Sequence, residues 1–203
     1  MRLTITTFLT VDGVMQGPGG PEEDRSNGFD HGGWLVPFAD DDMGRYVSEW
    51  FAQAEAFLFG RKTYEIMAAY WPQVTDENDP VAGPINRLPK YVASSTLDRL
   101  DWQNSHLIAD DLVSRVAKLK EQPGGELQVH GSGELARTLI EHNLIDEYRL
   151  WIYPVVLGAG KRLFTEGVTP TSLRLVDTKL TSTGVAVHSY QPAGKPEVGS
   201  FAL

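Results

Sequence analysis

Alternation of apolar and polar residues at the start of the chain predicts a β-strand. Residues 2–11, RLTITTFLTV, have the two-residue period of a strand with one buried face. Residues 12–33 are rich in glycine and proline and predict a long irregular loop. Loops of this length in compact domains commonly act as functional lids. Val14, Met15 and Gln16 are therefore candidates to lie over a ligand, and a mobile surface loop is the equal alternative.

Apolar runs and helical patterns then alternate along the chain. Met43, Val47, Trp50 and Phe51 fall on one helical stripe, and carboxylates occupy the first turn of that helix, where the helix dipole favours them. Residues 78–89, with three prolines and a glycine, predict a loop. The predicted strands are 56–60, 90–94, 106–109, 126–130 and 145–156, and the predicted helices are 39–54, 61–71, 110–122 and 134–144.

The last predicted elements form a hairpin. Residues 173–180 and 184–192 are strand-like runs on either side of the turn residues TSTG. Strands that alternate with helices predict a mostly parallel sheet covered on both faces, here followed by a C-terminal antiparallel hairpin. The predicted class is therefore α/β, with one domain over 1–192 and a tail over 193–203.

Composition narrows the function classes. The formal net charge of −9 disfavours a general nucleic-acid surface, and no apolar run approaches the length of a membrane span. The sequence contains no cysteine, so it has neither disulfides nor thiolate chemistry. We expect a cytoplasmic protein that acts on a small molecule and has no metal site, nucleic-acid partner or membrane partner.

The turn Gly131-Ser132-Gly133 has three possible interpretations. A serine nucleophile elbow needs glycine two residues before and after the serine, and His130 and Glu134 stand there instead. The turn does satisfy the G-x-G-x-x-A dinucleotide fingerprint, since Ala136 follows it and it joins a predicted strand to a predicted helix. However, the acid that a classical Rossmann unit places at the end of the next strand is missing. A purely structural corner is the remaining alternative.

Two further stretches have the chemistry of anion sites. Gly60 ends a short predicted strand, and Arg61, Lys62 and Thr63 open the next helix, so amides, a hydroxyl and two cations converge at a positive helix end. Hydroxyl groups of Ser94 and Ser95 follow another strand. All these sites come at the carboxyl ends of parallel strands, where ligands of open α/β sheets bind.

In this order, the segments TTFLTVDGVMQG, FLFGRKTYE, PKYVASSTL, QVHGSGELARTLIEHNLIDEYRL and PVVLGAGKRLF resemble the dihydrofolate-reductase-like superfamily. The closer resemblance is to its bacterial branch with the reductase (RibD C-terminal) domain of riboflavin biosynthesis. The resemblance implies a three-layer dihydrofolate-reductase-like fold, an NADPH-dependent reductase and a homodimer.

The resemblance also assigns roles to residues. It implies that the helix start at Gly60, Arg61, Lys62 and Thr63 binds phosphate, and that Ser94 and Ser95 contact the 2′-phosphate. It further implies that the 131–134 turn holds the pyrophosphate and nicotinamide, and that Val14 and Met15 lie near the nicotinamide. The implied cofactor-binding residues are Val14, Met15, Gly60, Arg61, Lys62, Thr63, Ser94, Ser95, Gly131, Ser132, Gly133 and Glu134.

The catalytic carboxylate is less well marked. True dihydrofolate reductases carry Trp-x-x-Pro-x-acid before their second helix, and here Trp34 and Pro37 are followed by Ala39 at the acid position. Asp40 and Asp42 are the catalytic candidates after a small shift, and helix capping is their alternative role. Cations that could meet a substrate phosphate are Arg25, Lys161 and Arg162.

Three functions follow from these observations. The first is an NADPH-dependent reductase that transfers hydride to a small heterocycle, either a riboflavin-pathway aminouracil or a pteridine such as dihydrofolate. The second is a nucleotide-binding or regulatory module that has the same fold and no catalysis. The third is a classical NAD-dependent dehydrogenase, which predicts an acid at a strand end and a preference for NADH.

Overall fold

The fold is one eight-stranded sheet covered by helices. A computed structural model describes residues 1–201, so the last two residues of the predicted tail, 202 and 203, lie outside the described residues. The strands are β1 Arg2–Thr10, β2 Ala54–Gly60, β3 Lys90–Ala93, β4 Ser105–Ile108, β5 Glu126–His130, β6 Glu147–Tyr153, β7 Leu173–Leu180 and β8 Ala186–Pro192. The α-helices are α1 Asp41–Phe51, α2 Arg61–Tyr70, α3 Ala82–Arg87, α4 Leu112–Glu121 and α5 Gly133–Glu141.

The strand order across the sheet is β4-β3-β2-β5-β1-β6-β8-β7. All pairs from β4 to β6 are parallel, whereas β8 pairs antiparallel with both β6 and β7. The predicted mostly parallel sheet with a C-terminal antiparallel hairpin is therefore confirmed. Because these strands are parallel, the carboxyl ends of β1, β2, β3 and β5 meet at one edge of the sheet.

Side-chain alternation divides the core into two sides. Leu3, Ile5 and Leu9 of β1 face one side and pack with apolar residues of α4 and α5. The other side is rich in aromatic rings, with Trp151 and Phe57 fully buried beneath α1, α2 and α3. Helices therefore cover both faces, which gives the predicted three layers.

The stretch 78–89, predicted as a loop, contains helix α3. Oδ1 of Asp79 accepts hydrogen bonds from the N–H groups of Val81 (2.9 Å) and Ala82 (2.7 Å), which satisfies donors at the start of the helix. Pro84 falls within the first turn, where proline is tolerated. At the other end, Nζ of the buried Lys90 donates to carbonyl oxygens that include that of Leu88 (2.9 Å). The proline and glycine content thus concealed a helix whose ends are satisfied by side chains outside it.

An ionic cluster is buried between the sheet and α1. Arg149 donates two hydrogen bonds to Glu126, at 2.6 and 2.9 Å, and one to Glu147 at 3.0 Å. Its side chain is 3% exposed, and those of the two glutamates are 6% and 7% exposed. Arg2 adds a bond of 2.9 Å to Glu126, and the Trp50 ring lies 4.8 Å from the Arg149 guanidinium. Each buried charge of this cluster therefore has at least one partner of opposite sign.

Within residues 1–201, no helix is both long enough and apolar enough to cross a membrane.

Candidate functional site

A cleft of about 1560 Å³ lies along the carboxyl edge of the sheet. It is bounded by the ends of β1 to β5, by the first turns of α2, α4 and α5, and by the long loop 11–33. Eleven of the predicted cofactor-binding residues line it: Met15, Gly60, Arg61, Lys62, Thr63, Ser94, Ser95, Gly131, Ser132, Gly133 and Glu134. The structure thus brings together residues from four separate stretches of the sequence.

Three helices begin at this cleft without a side-chain cap. The N-cap residues of α2, α4 and α5 are Gly60, Asp111 and Ser132, and none of the three makes a capping hydrogen bond with its side chain. All three line the cleft. By contrast, Asp40 caps α1, which begins elsewhere. At α2 and α5 the uncapped N–H groups and the positive helix ends therefore suit an anionic ligand, whereas the carboxylates of Asp110 and Asp111 at the start of α4 line the cleft and oppose one.

Ser132 is a structural link between two strands. Its Oγ accepts a hydrogen bond from the Gly60 N–H (3.0 Å) and donates one to the His130 carbonyl (3.2 Å). The residue has φ of 57°, in the left-handed region that non-glycine residues seldom occupy. The side chain of His130 bonds to Gln128 and not to Ser132. A Ser132 nucleophile with a His130 base is therefore excluded, and the hydroxyl fixes the turn against the end of β2.

A glycine flanks Ser132 on each side. Gly131 has φ of 57°, and a Cβ on Gly133 would lie 3.3 Å from Sδ of Met15. Met15 of the long loop therefore packs directly over this turn. The contact explains why the predicted loop residue and the predicted turn line the same cleft.

The predicted phosphate-binding residues differ in how far they are already engaged. Arg61 pairs with Glu65 one helical turn on, at 3.1 Å. Lys62 is exposed and has no carboxylate within salt-bridge distance in the described part of the chain. Oγ of Ser94 accepts two backbone hydrogen bonds within its turn, while Ser95 is exposed. Lys62 and Ser95 are thus the most available of these groups.

Glu134 is the one acid among the predicted cofactor-binding residues. It lies in the first turn of α5 and pairs with Arg137 at 3.3 Å. Both residues line the cleft. The pairing offsets a negative charge that would otherwise oppose an anion at this helix start.

The long loop is fastened to the segment that follows β6. Asp12 accepts hydrogen bonds from the N–H groups of Leu157 (3.2 Å) and Gly158 (2.8 Å). The Thr10 hydroxyl and these amides lower the pKa of Asp12 to about 2. Lys161 also bonds to Asp24 at 2.5 Å. The loop is therefore an ordered wall of the cleft.

Val14 does not line the cleft. It is fully buried in the aromatic core with Phe29 and Trp34, and it forms an isolated backbone bridge with Arg162. The loop turns the Val14 side chain inward and presents Met15 to the cleft, and the nearness of Val14 to a nicotinamide stays a prediction.

The cations predicted to meet a substrate phosphate all have acid partners. Arg25 pairs with Glu22 at 3.1 Å, Lys161 with Asp24, and Arg162 with Asp12 at 3.4 Å. The three cations line the cleft. Their charges are therefore largely balanced within the loop.

Asp40 and Asp42 do not line the cleft, and their predicted catalytic role is wrong. Asp40 caps α1 through the Met43 N–H (2.8 Å) and accepts a bond from the Ser182 hydroxyl (2.8 Å). The backbone bond from Met43, with the hydrogen bonds from the hairpin turn, lowers the pKa of Asp40 to about 2, the opposite of what a proton donor needs. Asp42 accepts from the Ser182 N–H at 3.0 Å and pairs with Arg45. Both carboxylates fasten α1 to the β7–β8 turn.

Glu23 is one of several carboxyl groups of the cleft that sequence reasoning missed. It is partly buried, and burial raises its pKa, with a contribution from the neighbouring charge of Asp24. The Gly19 N–H donates to its Oε2 at 2.5 Å. The residue lies in an aperiodic loop, so its only sequence signal is the acidic run Glu22 to Asp24 in a stretch of glycine and proline.

His130 makes stability depend on pH. Its ring packs 4.8 Å from that of Phe51, and burial, assisted by the Arg149 charge, lowers its pKa from 6.5 to about 4. Between those values the unfolded chain binds a proton that the folded protein does not, so stability falls as pH falls. From pH 7 to pH 5 we expect the free energy of unfolding to drop by about 2 kcal/mol from this residue.

Urea unfolding at both pH values checks this expectation, and the His130→Phe variant, which keeps a ring against Phe51, should lose the drop. The lowered pKa values of Asp12, Asp24 and Asp40 act below pH 4 and do not interfere. An equal drop in the wild type and the variant would contradict the assignment.

Residues 2–188 match the RibD C-terminal domain family. The chain is 32% identical over 191 residues to the uncharacterized protein YyaP of Bacillus subtilis (strain 168), which covers 93% of this chain and 94% of YyaP. It is 28% identical over 155 residues to the uncharacterized protein YwjB of the same organism, covering 76% of this chain and 83% of YwjB.

Solved structures share the fold. A riboflavin biosynthesis protein from Shewanella sp. PV-4 superposes with a TM-score of 0.71 at 20% identity, over 95% of this chain and 99% of that one. A deaminase/5-amino-6-(5-phosphoribosylamino)uracil reductase from Thermotoga maritima superposes with a TM-score of 0.61 at 12% identity, over 95% of this chain and 56% of that one. The dihydrofolate-reductase-like fold predicted from the sequence is confirmed, and the chain belongs to the RibD C-terminal domain family.

Proposed function

We propose that this protein is an NADPH-dependent reductase that transfers hydride to a small heterocyclic substrate. The observation that carries the proposal is the meeting of two uncapped helix starts, those of α2 and α5, with the cations of α2 at one cleft. The family and its reductase-like structural neighbours support the same function.

The residues of the cleft fit NADPH in their chemistry. Lys62, Arg61 and the Ser95 hydroxyl are donors suited to the 2′-phosphate. The 131–133 turn, with the first amides of α5, is suited to the pyrophosphate, because its two glycines let a ligand approach the backbone. Met15 offers an apolar surface beside the turn for the nicotinamide.

Residues of this chain position the cofactor and the substrate, shield them from water and supply a proton to the substrate. NADPH, when bound, supplies the hydride. The fastened loop 11–33 forms a wall that limits access of water to the reacting groups. Glu23 holds a proton to higher pH than an ordinary glutamate, so it is suited to donate that proton to the substrate heteroatom.

We propose an aminouracil or a pteridine as the substrate class. The Thermotoga neighbour is named for reduction of a phosphoribosylaminouracil. In this chain the cations Arg25, Lys161 and Arg162 are already paired, so a substrate phosphate has to displace carboxylates to reach them. We therefore expect the dephosphorylated aminouracil to be reduced at least as well as the phosphorylated one.

Steady-state oxidation of NADPH with these aminouracils and dihydrofolate tests the proposed function. We expect turnover with at least one, and kcat lower by about 100-fold in Glu23→Gln, the range of general acid catalysis. The control Glu22→Gln removes the same charge from the exposed neighbour and should keep wild-type kcat. Binding of NADPH without oxidation would favour the alternative of a nucleotide-binding module, and equal activity of the two variants would reject Glu23 as the proton donor.

We also propose that the protein is a homodimer. The outer strand β7 has an open edge and carries Leu175 and Leu180, which are 49% and 67% exposed. Sedimentation equilibrium should give the mass of two chains, and a single-chain mass at micromolar concentration would contradict this.

A further inference from the structure

Arg137 is a cation of the cleft that sequence reasoning missed. It lies in the second turn of α5 and lines the cleft, as does Glu134 in the first turn. The side of α5 that faces the core consists of Leu135, Ala136, Leu139 and Ile140. Glu134 and Arg137 are three residues apart and therefore share the opposite side, which α5 turns toward the cleft.

The guanidinium of Arg137 lies at the start of α5. Its Nη1 is 3.3 Å from Oε2 of Glu134, a residue of the first turn. This position agrees with the tilt of helical side chains toward the N-terminus of their helix. The same helix start has uncapped N–H groups and follows the turn Gly131-Ser132-Gly133. A cation and uncapped backbone donors therefore meet at one place in the cleft.

The ion pair between Arg137 and Glu134 is weak. It consists of one hydrogen bond of 3.3 Å, which is longer than the roughly 2.7–2.9 Å of a strong charge-assisted bond. The Glu134 side chain is 87% exposed, so water competes for its carboxylate. Exposed pairs of this kind contribute little to stability. A ligand that replaces Glu134 at the guanidinium therefore loses little by doing so.

Other donors of this guanidinium have no partner within residues 1–201. Nε of Arg137 is buried there without a hydrogen bond. Nη2 makes none either and is not among the buried unpartnered atoms, so it stays accessible in a side chain that is 41% exposed and lines the cleft. Arginine presents its N–H donors in a fixed planar fork that matches two oxygens of a phosphate group. The fork is therefore available to a bidentate anion.

We propose that Arg137 binds a phosphate group at the start of α5 and releases Glu134 to solvent as it does so. The inference rests on the proposed function for the identity of the ligand. The cofactor diphosphate is the favoured source, because the 131–133 turn and the first amides of α5 belong to the same place. A diphosphate carries more negative charge than one carboxylate and takes bidentate bonds from arginine, so it displaces the exposed acid.

Calorimetric titrations with NADPH and with NADH test the cofactor as the source. Both dinucleotides contain the diphosphate, so we expect Arg137→Gln to weaken both equally, by about 30-fold, the effect of a lost charge-assisted bond. Glu134→Gln should instead tighten both by about threefold, because it frees the guanidinium and removes a negative charge. A pair with a purely structural role would make the two substitutions act in the same direction, and that result would overturn the exchange.

Arg99→Gln is the matched control. It removes the same charge from an arginine that is 83% exposed and does not line the cleft. We expect its affinity for both dinucleotides to equal that of the wild type. The midpoint of urea unfolding should be the same in Arg137→Gln and Arg99→Gln, because each substitution removes only an exposed ion pair.

A second titration tests the substrate as the source of the phosphate. The phosphoribosylaminouracil and its dephosphorylated form are titrated into protein saturated with NADP⁺. If Arg137→Gln leaves both dinucleotides unchanged and weakens only the phosphorylated aminouracil, Arg137 binds the substrate phosphate. Wild-type affinity of Arg137→Gln for the dinucleotides and for the phosphorylated aminouracil would overturn the inference and leave the proposed function standing.

Inorganic pyrophosphate separates failure of the inference from failure of the proposed function. If the wild type binds neither dinucleotide, the proposed function is rejected, and pyrophosphate then decides the inference alone. Binding of pyrophosphate by the wild type that is at least tenfold weaker in Arg137→Gln supports a phosphate site at Arg137. No binding, or equal binding by the two proteins, would overturn it.

Discussion

Lys62→Glu should weaken NADPH binding by about 100-fold and leave the fold intact. Lys62 lies in the first turn of α2, lines the cleft, and lacks a carboxylate partner within residues 1–201. A charge-assisted bond to the 2′-phosphate contributes on the order of 1.5–3 kcal/mol, and the introduced carboxylate adds repulsion. NADH lacks that phosphate, so its affinity should change less than tenfold.

The free energy of unfolding of the variant distinguishes a loss of NADPH binding from damage to helix α2. A carboxylate in the first turn is favoured by the helix dipole and disfavoured by the nearby Glu65, so we expect the free energy of unfolding to stay within about 0.5 kcal/mol of wild type. Lys195→Glu makes the same change in net charge in the C-terminal segment and should leave NADPH binding unchanged. Equal losses for NADPH and NADH would remove Lys62 from the 2′-phosphate site.

Arg149→Met should lower the free energy of unfolding by about 3–5 kcal/mol. The guanidinium is 3% exposed and neutralises Glu126 and Glu147, which are themselves buried. Removal of one partner from a buried ion pair leaves an uncompensated charge in the interior, and that charge causes most of the loss. Arg2 offsets only part of the uncompensated negative charge, because its side chain is 43% exposed and water weakens its attraction to the glutamates.

Urea denaturation of two variants measures this loss. Methionine fills nearly the same space as arginine, so the loss of stability comes mainly from the missing charge and only slightly from a cavity. The triple variant Arg149→Met with Glu126→Gln and Glu147→Gln removes the buried charges together and should recover more than 1 kcal/mol relative to Arg149→Met. A loss below about 1 kcal/mol in the single variant, or a triple variant that is no more stable, would show that the cluster does not behave as a buried ionic unit.

The strands and most helices could be predicted because alternation, helical spacing and turn residues involve only neighbouring positions in the sequence. Alternation in β1, helical spacing in α1 and the glycine turn before α5 each depend on neighbouring residues. Helix α3 escaped prediction since its ends are satisfied by Asp79 and Lys90, side chains whose contacts do not appear in a periodicity. The cleft followed from a general rule, that the carboxyl ends of parallel strands meet at one edge.

The errors at the site concern residues whose role depends on distant partners. Asp40 resembles a catalytic acid next to Trp34 and Pro37, but its partners are the hydroxyls of the β7–β8 turn. Lys161 resembles a free phosphate ligand until Asp24 of the long loop is placed beside it. Val14 and Met15 are adjacent in an aperiodic loop, so only the packed structure shows which of them faces the cleft.

Titration of the nitrogen-labelled protein with NADPH, followed by the backbone amide signals, locates the cofactor phosphates directly. If the uncapped helix starts hold the cofactor phosphates, the largest shifts should come from amides 61–63 and 133–135, while the first turn of α1, capped by Asp40, stays unchanged. Absence of shifts at those two helix starts, with NADPH at millimolar concentration, would contradict the account.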